Sequence, residues 1–354
     1  MEEKLISQSD LTDGGISVIV PVYNGEKYIK NCLDMLLDQD GENFEVIVVN
    51  DGSTDKTADI VKSIHDEKLV YFEQDNKGVS AARNKGIELS RGGWVVFCDA
   101  DDTVKQGYIK DITEQINRFP DYTVFCYAYS RVKGEGNDSD LYDITGKQAI
   151  LSTIGKDKSV FKYCNDYSAC LTVWSKVYSK NFLIKNNLRF NCKIAYGEDI
   201  LLLFKLFTVV NKVKAVHRGF YIYNHTNENS TIHTVGKESE KEGYISFHLD
   251  LLDYIIKRDD KGLWKEREMI MAMNYFIISH ANTCISRVLR AMMKNGRTVA
   301  EKRKALSEMK QARNELRKAV GKKFVFNINS IKVFIADNFP TAYIKLMEKH
   351  WKND

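Results

Sequence analysis

Over the first hundred residues, short apolar runs alternate with segments whose apolar positions recur every three or four residues. Ile16-Ser17-Val18-Ile19-Val20, ending at Pro21, predicts a buried strand, and so do Phe44–Val49, Leu69–Phe72 and Trp94–Cys98. Between them, Glu26–Leu37 carries apolar residues at 28, 29, 32, 33, 36 and 37, a helical spacing, and Thr54–Ile64 and Val79–Leu89 read as further helices. Ser53 or Thr54 is the candidate cap of the second helix. Four strands alternating with three helices predict an α/β fold: a mostly parallel sheet with helices on both faces. Ligands of such sheets sit at the carboxyl ends of the strands.

Each of the four strands leads into a polar loop. The loops read Pro21-Val22-Tyr23-Asn24-Gly25, Asn50-Asp51-Gly52-Ser53-Thr54-Asp55, Asp75-Asn76-Lys77-Gly78 and Asp99-Ala100-Asp101-Asp102. Three carboxylates within four residues repel one another in a closed site. A hard divalent cation, Mg²⁺ or Mn²⁺, removes that penalty and bridges carboxylates to the phosphates of a nucleotide. A solvated acidic turn is the competing explanation, weakened here because the motif comes after a buried strand in the fourth repeat of a βα unit. No Gly-x-Gly-x-x-Gly stands after the first strand, no Gly-x-x-x-x-Gly-Lys-Ser/Thr occurs, and neither does Gly-x-Ser-x-Gly. A nicotinamide or flavin site, a standard phosphate loop and a hydrolase elbow are therefore not expected.

Composition adds little until it is divided. The chain has 354 residues, 44% hydrophobic and 28% charged, with only three prolines, which suits a soluble globular protein of two domains or of one with an appendage. Its seven cysteines are irregularly spaced without Cys-x-x-Cys, which reads as reduced thiols in the cytoplasm. The start, Met1-Glu2-Glu3-Lys4, suggests no signal peptide, and no apolar run reaches the roughly 18 residues of a spanning helix. The net charge of +4 conceals an asymmetry. Between Arg287 and Lys323 stand thirteen Lys and Arg against three acids, a local +10, so the rest of the chain is acidic.

The motif series ISVIVPVYNGEKYI…FEVIVVNDGSTD (16–55), NKGVSAARNKG (76–86) and WVVFCDADD (94–102) resembles glycosyltransferase family 2. WSKVYSKNFLIKNNLRF (174–190), Gly197-Glu198-Asp199 and GFYIYNHTNENST (219–231) extend that resemblance over an acceptor half and a closing loop, and it fades after about residue 232. It implies a GT-A nucleotide-binding sheet and inverting transfer of a sugar from a nucleotide donor, uridine being the favoured base. The domains expected are a tail at 1–14, a GT-A domain at 15–235 divided into a donor half (15–102) and an acceptor half (103–235), and a helical region at 236–354.

By the resemblance, Pro21 and Tyr23 line the base and ribose pocket, Asp51 accepts from a uracil N–H, and Asn76 and Arg83 face the base or the diphosphate. Asp99 holds the ribose and Asp101 ligates Mn²⁺ or Mg²⁺, with Asp102 sharing or replacing that role. Asp199 is the candidate general base, and Glu198 binds acceptor or caps the helix. A helix N-terminus also favours acids, which is the rival account of this pair. His225 and Ser230 belong to the closing loop. Trp174 is either an acceptor platform or core.

The partners implied are a UDP-sugar donor and a saccharide or lipid-linked acceptor of cell-surface or capsular polysaccharide synthesis in a bacterium. Nucleic acid is not expected, since no binding motif accompanies the basic segment. Two uses of the C-terminal helices stay open: peripheral placement on the cytoplasmic face of a membrane, or packing as a helical cap or homodimer element. Two other functions are carried alongside: a sugar nucleotidyltransferase, which lacks its Gly-rich basic loop here, and a non-catalytic nucleotide-sugar-binding partner subunit.

Overall fold

The computed structural model describes residues 11, 14–130, 141–152, 172–194, 196–224, 240–258, 267–319 and 328–351. These residues group into two compact units. The first takes its members from residues 1–152, 157–192 and 202–227, the second from 153–156, 193–201 and 228–354.

The first unit is built on one nine-stranded sheet. Strands β1 (Ile16–Val22), β2 (Phe44–Asn50), β3 (Leu69–Glu73) and β4 (Trp94–Phe97) pair in parallel in the order β3-β2-β1-β4, where the apolar runs predict them. Every residue of β1 and β2 is buried, because helices cover the sheet. Helices α1 (Ile29–Leu37), α2 (Thr57–Lys62) and α3 (Val79–Leu89) connect the strands. A Cβ placed on Gly86 of α3 would lie 2.2 Å from Cγ2 of Ile19, so this helix rests directly on β1.

Two local expectations are corrected. β1 does not stop before Pro21 but runs through it to Val22. Ile19 O accepts from Cys98 on the β4 side and Val22 O from Asp51 on the β2 side, so position 21 faces the β4 side after β4 has ended. A proline there removes no ladder hydrogen bond. Secondly, α2 begins at Thr57, with Lys56 as its cap residue and no side-chain capping bond. Ser53 and Thr54 bond instead to Asn24, in the loop after β1.

The remaining strands, β5 (Thr103–Val104), β6 (Val124–Ser130), β7 (Leu141–Thr145), β8 (Lys176–Ser179) and β9 (Lys212–Ile222), continue the sheet in mixed directions. β8 joins β4 antiparallel, and β5 pairs antiparallel with β9 through Thr103–Ile222 and Val104–Tyr221. Helices α4 (Tyr108–Arg118), α5 (Gly146–Ser152) and α6 (Lys180–Lys185) complete this unit, together with most of α7 (Glu198–Val209).

The second unit contains α8 (Glu240–Arg258), α9 (Arg267–Lys294), α10 (Val299–Ala319), α11 (Ile328–Asn338) and α12 (Pro340–Trp351). Residues 193–201 belong to it, ahead of the boundary expected near 235. The reason is packing: the Arg287 guanidinium lies 4.7 Å from the Tyr196 ring centre, and a Cβ on Gly197 (φ +87°) would meet His280 Nε2 at 2.9 Å. No helix among the described residues is long and apolar enough to cross a membrane.

α10 is less purely a polar surface helix than its composition suggests. It buries Ala305, Leu306, Met309 and Leu316 and, among them, Arg313, which has no exposed surface. Arg313 donates to the Tyr244 hydroxyl at 3.0 Å and to the carboxylate of Asp337. Lys302 meets Glu348 at 2.8 Å, and Arg287 forms a two-bonded pair with Glu240 at 2.8 and 2.9 Å. Part of the local +10 is thus neutralised by acids that lie outside the counted window.

Candidate active site

The loops at the carboxyl ends of β1 and β2 are laced together. Asn24, in the left-handed region at φ +51°, accepts from the Thr54 N–H at 2.8 Å and gives its own N–H to Ser53 Oγ at 2.9 Å. Gly25 N–H donates to Thr57 Oγ1 at 2.8 Å, and the Glu26 and Asp55 side chains are exchanged across the same seam. Ser53 and Thr54 therefore stitch two loops and do not cap a helix. Pro21 is buried in β1, while Tyr23, just beyond it, is 52% exposed.

Asp51 is buried at the end of β2. Its Oδ1 accepts from Gln74 Nε2 at 2.7 Å and from the Lys77 N–H at 2.9 Å, and its Oδ2 accepts from the Gly78 N–H at 2.7 Å. One carboxylate thus shapes the turn that launches α3, where Gly78 adopts φ +87°. Gly52 lets the two loops touch, since a Cβ there would stand 2.7 Å from Asn76 N. Asn76 itself is exposed.

The acidic loop after β4 is organised by two other elements. Arg83 of α3, buried, holds Asp99 Oδ1 at 3.0 Å and lies 5.3 Å from the Phe190 ring centre. From β9, the Tyr221 hydroxyl accepts from the Asp99 N–H at 3.1 Å and donates to Asp102 Oδ2 at 2.5 Å. Asn224 N–H donates to the other oxygen of Asp102 at 2.7 Å. Burial first, and then the negative charge of Asp99, push the Asp102 carboxyl up to about 8. Trp174 stacks on Tyr221 at 4.4 Å and on Tyr223 at 5.5 Å, which makes it a buried support of this network.

The structure therefore brings together Asp51, Asn76, Arg83, Asp99, Asp101, Asp102, Tyr23 and Trp174 within one unit. Glu198 and Asp199 open α7 in the second unit. Both are half-buried, and Asp199 Oδ1 accepts from the Ile200 N–H at 2.7 Å. His225 and Ser230 lie outside the described residues. Tyr221 and Asn224 are not among the residues the sequence singles out, where both stand only within the 219–231 motif. The signal for Tyr221 is the pairing of β5 with β9, which brings together residues more than a hundred positions apart.

Among the described residues no three His, Cys, Asp or Glu side chains converge on one point. That donor set fits Mg²⁺ or Mn²⁺ held by one or two carboxylates plus a ligand's phosphates, and does not fit a cage made by protein alone. Asp102 has both oxygens bonded within the protein, and Asp99 is paired with Arg83.

The glycosyl transferase family 2 model matches residues 17–198, just over half of the sequence, and takes in the carboxyl ends of β1, β2, β3 and β4. The chain belongs to glycosyltransferase family 2. Glycosyltransferase GlyA of Streptococcus pneumoniae is 34% identical over 222 residues, covering 60% of this chain and 31% of GlyA. The minor teichoic acid biosynthesis protein GgaB of Bacillus subtilis is 27% identical over 257 residues, covering 69% of this chain and 27% of GgaB. This family 2 chain thus spans about a third or less of those two relatives. Among solved structures, residues 1–349 of S. aureus TarS in complex with UDP-GlcNAc superpose with a TM-score of 0.55 at 21% identity, covering 89% of this chain and 94% of that one. The likeness establishes a shared GT-A-like fold.

Proposed function

We propose that the chain is an inverting, metal-dependent glycosyltransferase that moves a sugar from a UDP-sugar to a hydroxyl of a saccharide or lipid-linked saccharide. The observation that carries the reading is the Arg83–Asp99–Tyr221–Asp102 network at the carboxyl end of β4, beside the stitched loops after β1, β2 and β3. Family membership supplies the reaction class, and the UDP-GlcNAc in the TarS complex supports a uridine nucleotide. The relative named for teichoic acid biosynthesis supports a cell-surface polymer as the setting, and cytoplasmic action belongs to the same proposal.

The geometry supports a division of labour. Asp51 fixes the turn through Lys77 and Gly78 and keeps one face of the base pocket in place. Arg83 orients Asp99 for the ribose and adds positive charge next to the diphosphate. Asp101 would hold the Mn²⁺ or Mg²⁺, whose contribution when bound is to neutralise charge on the departing nucleotide. Asp102 is held among protein donors and sets the position of the loop. Asp199 would take the proton from the acceptor hydroxyl as that oxygen attacks the anomeric carbon from the face opposite the nucleotide.

Calorimetric titration with UDP, with and without Mn²⁺, tests the donor site, with GDP and Asp101→Ala as controls. Expected is Mn²⁺-dependent UDP binding that Asp101→Ala abolishes. A folded chain that binds no nucleotide would sink the reading. Asp199→Asn should retain UDP binding and lose turnover, and unchanged turnover would remove Asp199 from the mechanism.

A further inference from the structure

The C-terminal unit contains an open hollow of about 400 Å³, within the size range of ligand sites. Its lining includes Arg303, Lys304, Ser307 and Lys310 of α10, with Asp337 at the end of α11 and Pro340 at the start of α12. Three cations therefore border one cavity. The carboxylate among them is already taken by the buried Arg313. Lys310 donates at 3.0 Å to the backbone carbonyl of Asp337, which leaves its charge uncancelled. Arg303 and Lys304 are exposed and form no ion pair among the described residues, whereas Lys302 beside them is paired with Glu348. Along one helix, then, some cations are neutralised and the ones around the hollow are not. This points to an anionic ligand brought from outside.

Exposed apolar residues on α11 and α12 and at their junction, the elements that supply Asp337 and Pro340, indicate which kind of anion. Phe339 adjoins Pro340 and is 58% exposed, and Phe334 is 55% exposed with its ring centre 6.4 Å from that of Phe339. Leu346 of α12 is also exposed, between the exposed Lys345 and Lys349. A soluble phosphate gains nothing from two phenylalanines held in water. A lipid does, because its phosphate sits at the depth where aromatic rings meet the acyl boundary. We propose that this hollow is a headgroup site for anionic phospholipid, with the phosphodiester seated among Arg303, Lys304 and Lys310 and with Phe334 and Phe339 inserted beside it. The proposal stands apart from the donor reading, since its residues belong to a different unit from Asp99 and Asp101.

Cosedimentation of the full chain with phosphatidylcholine vesicles, with and without phosphatidylglycerol, tests it. Binding should require phosphatidylglycerol. Each cation near an anionic surface contributes about 1 kcal/mol, so Arg303→Gln with Lys304→Gln should weaken binding roughly thirtyfold. Phe334→Ser with Phe339→Ser should weaken it at least about tenfold, in line with loss of buried aromatic area. All four positions are exposed, and thermal melting checks that the variants stay folded. Titration with glycerol 3-phosphate forms the soluble arm. Binding of that anion without vesicle binding overturns the membrane assignment. So does vesicle binding that the cation pair leaves unchanged, and so does a folded chain that ignores phosphatidylglycerol.

Discussion

Tyr221 donates to Asp102 at 2.5 Å through the same hydroxyl that accepts the Asp99 N–H at 3.1 Å. One phenol thus ties the two ends of the acidic loop to β9, and Trp174 stacked on its ring holds it still. Tyr221→Phe keeps the stacking and removes both bonds. Leaving buried partners unsatisfied costs about 1–3 kcal/mol, which urea unfolding should register. UDP affinity should fall alongside it, because the loop that carries Asp101 loses its anchor. Unchanged stability and unchanged affinity together would show that the loop is positioned by other contacts.

Asp51 offers a way to separate shaping from ligand contact. Its carboxylate accepts from two backbone N–H groups and one amide. In Asp51→Asn one acceptor becomes an NH₂ group facing donors. The Lys77 and Gly78 amides should then exchange with solvent faster in the absence of any nucleotide, and UDP should bind more weakly. Weaker UDP binding with unaltered exchange at Lys77 and Gly78 would assign Asp51 to the base alone.

The parallel half of the sheet is legible in the sequence because its strands are continuous apolar runs and its helices are amphipathic. The loops are legible because polar residues after four buried strands have few structural reasons to recur. What stays hidden depends on distant pairing. Tyr221 is one unremarked residue of the 219–231 motif until β5 meets β9 and its hydroxyl bonds Asp99 and Asp102. Ser53 and Thr54 match a capping pattern, yet Asn24, thirty residues away, competes for their groups and wins. The basic segment misleads in the same way. A local charge count cannot see that Arg313 is buried against Asp337, or that Lys302 meets Glu348.

Gly86 marks how tightly α3 is seated. A methyl group there would overlap Ile19 on the strand that leads to Pro21. Overpacking of a well-filled core costs typically about 1–3 kcal/mol, and the backbone of α3 must shift to accommodate it. Because α3 also carries Arg83, Gly86→Ala should lower both the unfolding midpoint and UDP affinity. Gly78, whose added Cβ would meet nothing, provides the contrast: its φ of +87° makes Gly78→Ala a backbone effect without a packing clash.

The C-terminal unit predicts its own pH response. His248 and His280 are buried beside Tyr244 and Phe247, and burial holds both below the ordinary imidazole range, His280 down to about 4. The other charges acting on His248 are His280 and Arg313, and both push it the same way. In the unfolded chain each ring takes up a proton near pH 6.5, while in the fold it stays neutral. The unfolded state thus binds more protons between about pH 6.5 and 4, and stability is lost as pH falls through that window. At about 1.4 kcal/mol per proton per pH unit, and with the unfolded ring only half protonated at pH 6.5, acidification from 6.5 to 5 should cost about 1.5 kcal/mol at His280, with His248 adding to the loss in the same direction. Denaturant unfolding of the wild type and of His248→Leu/His280→Leu at both pH values isolates the effect from carboxylate titration common to the two. The wild type should lose more stability than the variant. Equal losses would mean that the imidazoles are protonated within the fold, and that this core is wet or open on the timescale of the measurement.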